Sequence, residues 1–94
     1  MAARIYRYEV PVDDAVHTFD LHGDPQAVGC RRDDVVEFWA IHHDDEAPGS
    51  YISRRFLVVG TGHPLPSDLA ATRWHWGAVY AADDQIVWHL VEVW

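Results

Sequence analysis

The chain has 94 residues, with seven basic and fifteen acidic side chains and a formal charge of −8, a balance that argues against a nucleic-acid partner unless the basic residues share one face. All seven basic residues are arginine, which excludes Schiff-base and P-loop lysine chemistry. The single cysteine, Cys30, excludes an internal disulfide and a zinc ribbon, points to a reducing compartment, and reads as a small buried hydrophobe.

One domain over residues 1–94 is expected, burying roughly 60–65% of its unfolded surface. Its core must be thin, and the 49% hydrophobic and 13% aromatic content supplies unusually large side chains to fill it. No charged leader with an apolar stretch opens the sequence, and no apolar run approaches the roughly 20 residues of a membrane span. A cytoplasmic protein is therefore expected.

Along the chain, apolar residues recur with period two. "RIYRYEVPV" sets Tyr6, Tyr8, Val10 and Val12 on one face and Arg7 and Glu9 on the other. "VHTFDL" continues the alternation until "HGDP" breaks it. "QAVGCRR" is a short third strand and "VVEFWAIHH" a fourth, followed by the polar loop "DDEAPGS" and the long strand "YISRRFLVVG". "HPLPSDLAAT" carries one short helical turn near 67–71, capped by Ser67. In "RWHWGAVYAADDQIVWHLVEVW", a three-residue loop at Asp83–Gln85 places Trp74, Trp76, Ala78 and Tyr80 on the core face with Ile86, Trp88 and Leu90. A two-residue turn at Asp83-Asp84 would instead shift the pairing by one and mix the faces. About seven short strands predict a mainly β fold, a compact antiparallel sandwich or small barrel.

The stretch "FLVVGTGHPLP" concentrates the candidate ligand-binding residues Gly60, Thr61, Gly62 and His63. It lacks the lysine or third glycine of a phosphate loop, and Pro64 and Pro66 prevent a helix from starting there. A sharp corner is the expected role, with Gly60 and Gly62 in backbone conformations other residues disfavour and Pro64 holding His63 extended. Arg54 and Arg55 are the candidates to grip an anionic group, although for them and for Arg31-Arg32 internal salt bridges are the expected use.

Seven histidines raise the question of a metal. His42 with Asp44, or His43 with Asp45, share a strand face, and His63, His75 and His89 are the candidates for further ligands. No four ligands fall at a recognised spacing, so no cofactor and no metal retained through dialysis are expected. No serine sits in a nucleophile elbow, and the one acid–base candidate is His63 beside Asp68.

"IYRYEVPV", "RRFLVVGTGHP" and "VWHLVEV" together resemble a small family of phage and prophage proteins classed as a domain of unknown function, with the loop from His42 to Ser50 departing from the pattern. The resemblance spans nearly the whole chain and implies a tailed-phage or prophage origin, with no catalytic residue to carry over. The expected function is that of a small non-enzymatic accessory protein binding another protein, such as a host protein, through an aromatic-rich surface. The alternatives are a small anionic-ligand binder or hydrolase centred on His63 with Arg54 or Arg55, and an acidic DNA mimic. A homodimer is also expected, with Val87, His89, Val91, Val93 and Trp94 at an interface formed by the C-terminal strand.

Overall fold

The computed structural model describes residues 3–32, 34–44, 50–65, 71–80 and 86–94. They form seven strands: β1 (Ala3–Pro11), β2 (His17–Leu21), β3 (Pro25–Arg32), β4 (Val35–His43), β5 (Ile52–Gly60), β6 (Thr72–Tyr80) and β7 (Val87–Val93). Two antiparallel sheets result, in the orders β1-β4-β3 and β2-β5-β7-β6, so the fold is a sandwich and not the barrel alternative. The short helical turn expected near 67–71 lies outside the described residues, apart from Ala71.

Period-two patterning puts one face of each sheet inside. Val10, Val36, Phe38 and Ala40 from the first sheet meet Leu21, Phe56, Val58 and Leu90 from the second. At the centre, Phe38 stacks on Tyr8 at 5.0 Å, meets Phe19 edge-on at 5.5 Å and contacts Phe56 at 5.0 Å. These four rings come from four strands and both sheets, with geometries suited to aromatic pairs. The strands join across a corner at Asp14, a non-glycine residue at φ 60, where the Asp13 carboxylate accepts from the Ala15 amide at 3.0 Å. Aspartate tolerates that conformation through such local bonds.

β5 and β6 are both antiparallel to β7, which lies between them, and so run parallel to each other. The connection from Gly60 to Thr72 therefore joins parallel strands, and the inner face of their sheet is filled by the core. On the outer face Leu57, Val59, Val91 and Val93 form a second buried cluster. Pro64 and Leu65, from the start of that connection, share a cavity wall with Leu57 and Val59.

Two expectations about the C-terminal strands are corrected. β7 is an interior strand with partners on both sides, and not the sheet edge expected of it. Val91 and Val93 are buried by the chain itself, whereas Trp94 is 66% exposed. The core face of β6 also differs from the expected one. His75 faces Val91 and Gly77 faces Leu90, so Trp76 is an extra residue in a β-bulge. Trp76 stays inside with Trp88 and Leu90, but beyond the bulge Val79 turns to the core. Ala78 and Tyr80 fall opposite His89 and Val87, on the outer side, and Tyr80 is 70% exposed. Cys30 is half-buried in β3, with its Sγ donating to the Arg32 carbonyl at 3.0 Å, in place of the buried role expected.

The glycine corner separates into two roles. His63 N donates to the Gly60 carbonyl at 3.0 Å, closing a four-residue turn in which Gly62 has φ 85, as the third position of a type II turn requires. Nothing lies within 4 Å of a Cβ built on Gly62, so its constraint is conformational alone. Gly62→Val is expected to lower unfolding free energy by about 1–3 kcal/mol in denaturant titration. Unchanged stability would mean that the turn does not hold this conformation.

Candidate functional site

Gly60 is required for another reason than the backbone angle expected. A Cβ there would lie 2.7 Å from His63 Nδ1 and 3.1 Å from a Trp88 ring carbon, so the His63 imidazole folds back over the end of β5. The next residue ties the turn to β7. The Thr61 amide donates to the Val87 carbonyl at 3.0 Å, and its hydroxyl reaches the same oxygen at 3.3 Å.

On the outer face of β6 and β7, His75 stands opposite Val91 and is therefore the diagonal neighbour of His89. His89 Nε2 lies 2.7 Å from Thr61 Oγ1, and His89 Nδ1 lies 3.1 Å from His75 Nε2. Burial, followed by the nearby His75, holds the His89 pKa below the usual histidine value. The imidazole is thus neutral at pH 7. These groups line a pocket of about 350 Å³ with Val59, Leu65 and Val91 as apolar wall and His63 at its side. Thr72 Oγ1, also in the wall, is buried without a hydrogen-bond partner. The structure therefore brings Gly60, Thr61, Gly62 and His63 to one pocket together with His75 and His89.

Arg54 and Arg55 do not join them. They lie at the other end of β5, about 15–20 Å along the strand from Gly60 at roughly 3.3 Å per residue. Arg54, on the inner face, makes a bidentate ion pair with Glu92, at 2.9 Å from Nε and 2.7 Å from Nη2, and a third contact to Asp24 at 2.8 Å. Arg55 donates to the Trp94 carbonyl. Arg31 and Arg32 are ion-paired as expected, to Glu37 at 2.7 Å and Glu9 at 2.7 Å.

Glu92 is the residue that reading the sequence missed. Its Oε1 also accepts from Trp76 Nε1 at 2.8 Å and Arg73 Nη1 at 3.0 Å. The signal for it was a lone carboxylate in the apolar run "VWHLVEVW", two positions from core residue Leu90. Around this network a cleft of about 500 Å³ is walled by Trp74, Trp76 and Trp94 with Asp24 and Arg73. Arg73 lies 5.2 Å from the Trp94 ring and Arg54 5.6 Å from the Trp76 ring, both within cation–π range. A second cavity of about 570 Å³ opens beside it between His22 and Trp94.

The other metal candidates separate. His42 Nε2 is 3.6 Å from Asp44, but Arg4 also holds that carboxylate, and the His42 ring is stacked on His22 and Tyr6. Asp45 and Asp68 lie outside the described residues. Among the described residues no three ligands stand together around a point that would hold an ion.

Burial pushes the Glu92 pKa up, but the bonds from Arg54 and Trp76 and the charges of Arg54 and Arg73 outweigh it and leave it below the usual glutamate value. A depressed folded-state pKa stabilises the fold above the unfolded value and loses that contribution as pH falls through the folded one. Stability should therefore decline with acid below about pH 4.5, and Glu92→Gln should flatten part of that decline. The same substitution leaves Arg54 with Asp24 as its remaining carboxylate partner and is expected to cost about 1–3 kcal/mol at neutral pH, whereas Arg54→Met with Glu92→Leu costs less. Denaturant unfolding between about pH 3 and pH 7 measures both. An unaltered acid slope in Glu92→Gln would remove Glu92 as its source.

No curated protein and no solved structure matches the chain. A family model does match, over residues 1–94, and its extent agrees with a fold in which the first strand pairs with the fourth and the last fills the middle of a sheet. The chain belongs to the family described as a domain of unknown function, DUF7352.

Proposed function

We propose that this chain is a non-enzymatic binding protein, of the phage or prophage type that its motifs resemble, and that it engages another protein through the tryptophan-walled cleft. The observation that carries the reading is the exposure of Trp74, at 59%, and Trp94, at 66%, on either side of that cleft. Large apolar rings held in water next to an arginine are the residue types that dominate binding energy at protein interfaces. The charges behind them are already matched, since Glu92 and Asp24 hold Arg54 and Glu92 also holds Arg73. A partner therefore gains from covering the rings and need not neutralise a buried charge. In a phage-infected cell the partner would be a host protein in the cytoplasm.

A hydrolase or anion binder built on His63 with Arg54 or Arg55 has less support, because those residues occupy opposite ends of β5. Nor does the anion reading gain from Arg54, whose donors are taken up by Glu92 and Asp24.

Trp74→Ala with Trp94→Ala tests the proposal. Both side chains are mostly exposed, so the fold should lose no more than about 1 kcal/mol. With tagged protein in the host cell, the double variant should fail to recover the partner that the wild-type chain recovers. Equal recovery by a folded double variant would rule the cleft out as the binding surface.

A further inference from the structure

We propose that His75 and His89 form a cross-strand chelate for a divalent late transition ion such as Zn²⁺, Ni²⁺ or Cu²⁺, at the wall of the pocket beside the glycine turn. The two residues project from adjacent strands on one face, as diagonal neighbours. Their facing nitrogens, His75 Nε2 and His89 Nδ1, are 3.1 Å apart. Two cis nitrogens bound to one ion at 2.0–2.1 Å are separated by about 3.0–3.4 Å, so the spacing needed for chelation is already present. The rings are tilted at 44° with centroids 5.1 Å apart, so the approach is through nitrogen and not face to face. Binding moves the His75 proton from Nε2 to Nδ1 and turns the two rings about their side-chain torsions, so that both lone pairs meet at a common point.

Thr61 supplies the second element of the site. Its hydroxyl donates to the Val87 carbonyl at 3.3 Å, which leaves its oxygen free to accept from His89 Nε2 at 2.7 Å. With the proton on Nε2, His89 Nδ1 carries the lone pair and turns it toward His75. Metal-bound histidines are oriented in this way, with the remote N–H bonded to an oxygen acceptor that fixes the tautomer. His75 is exposed, which gives an ion a route of entry from solvent.

The site supplies two protein ligands. His63 lines the same pocket, but its ring is held over Gly60 and edge-on to Trp88 at 6.4 Å. The remaining coordination positions belong to water or to a small ligand in the pocket of about 350 Å³. Two imidazoles hold an ion in exchange with solvent, so the site is compatible with the expectation that no metal survives dialysis.

The test is titration of metal-free protein with Zn²⁺ and Ni²⁺ alone, followed by calorimetry and by the histidine ring resonances. Saturable uptake of one ion per chain is expected, with the His75 and His89 signals shifting and those of His17 and His63 unmoved. His75→Ala and His89→Ala should each lower affinity tenfold or more, and His63→Ala should leave it unchanged. Thr61→Val, which keeps both imidazoles but removes the oxygen that orients His89, should lower affinity by roughly tenfold. His89→Gln serves if alanine destabilises the strand. Absence of saturable binding, or binding that survives in the folded His75→Ala/His89→Ala double variant, would overturn the proposal and leave the 3.1 Å contact as an N–H···N hydrogen bond.

Discussion

The pairing of Arg54 with Glu92 governs one whole end of this molecule. Both residues sit on the inner faces of their strands, where an unpaired charge would be prohibitive, and only a two-pronged bond offsets the loss of hydration. Glu92 lies opposite Phe56 in the β5–β7 ladder, so Arg54 reaches it diagonally across the sheet. The ion pair therefore clamps the two central strands of the second sheet at the point where the aromatic core stops. Because a carboxylate has more acceptor sites than Arg54 can fill, Trp76 and Arg73 are drawn to it as well. The indole of Trp76 is held inward, the guanidinium of Arg73 is laid over the Trp94 ring, and a cleft opens at this end of the sandwich.

The opposite end of β5 is arranged by sterics and not by charge. Gly60 admits the His63 ring where any side chain would collide with it, and Gly62 lets the chain reverse. Between these ends the two faces of the sheet are buried by different means. The inner face meets a second sheet, whereas Leu57, Val59, Val91 and Val93 form a separate buried cluster on the outer face.

Strand positions were legible because alternation survives wherever one face is buried. β4, "VVEFWAIHH", was read with its observed limits, since every second residue from Val36 to Ala40 enters the core. β6 was misread beyond Trp76 because a bulge leaves no mark in hydrophobic periodicity. It inserts one residue, and every later side chain changes face. Strand order was equally hidden, and with it the fact that β7 is interior. For the candidate site, a sharp corner at Gly60–Gly62 could be read from residue types, although only Gly62 takes the positive φ expected of both, and the meeting of His63, His75 and His89 in one pocket could not be read. The separation of Arg54 from His63 could not, because adjacency in the motif "RRFLVVGTGH" becomes the length of a strand once that motif is extended.

The interior place of β7 also orders events in time. Until residues 87–93 exist, β5 has only β2 beside it and β6 has no neighbour in its sheet, so the second sheet cannot be completed from the chain that precedes them. The β6–β7 hairpin is the local unit, and its docking against β5 brings in contacts that are distant in sequence, the kind that slow folding. The flank of β5 from Phe56 to Val59 stands unpaired on one side until β7 docks beside it. An open flank of this kind is a template for strand exchange between copies until the β6–β7 pair docks and the sheet is complete.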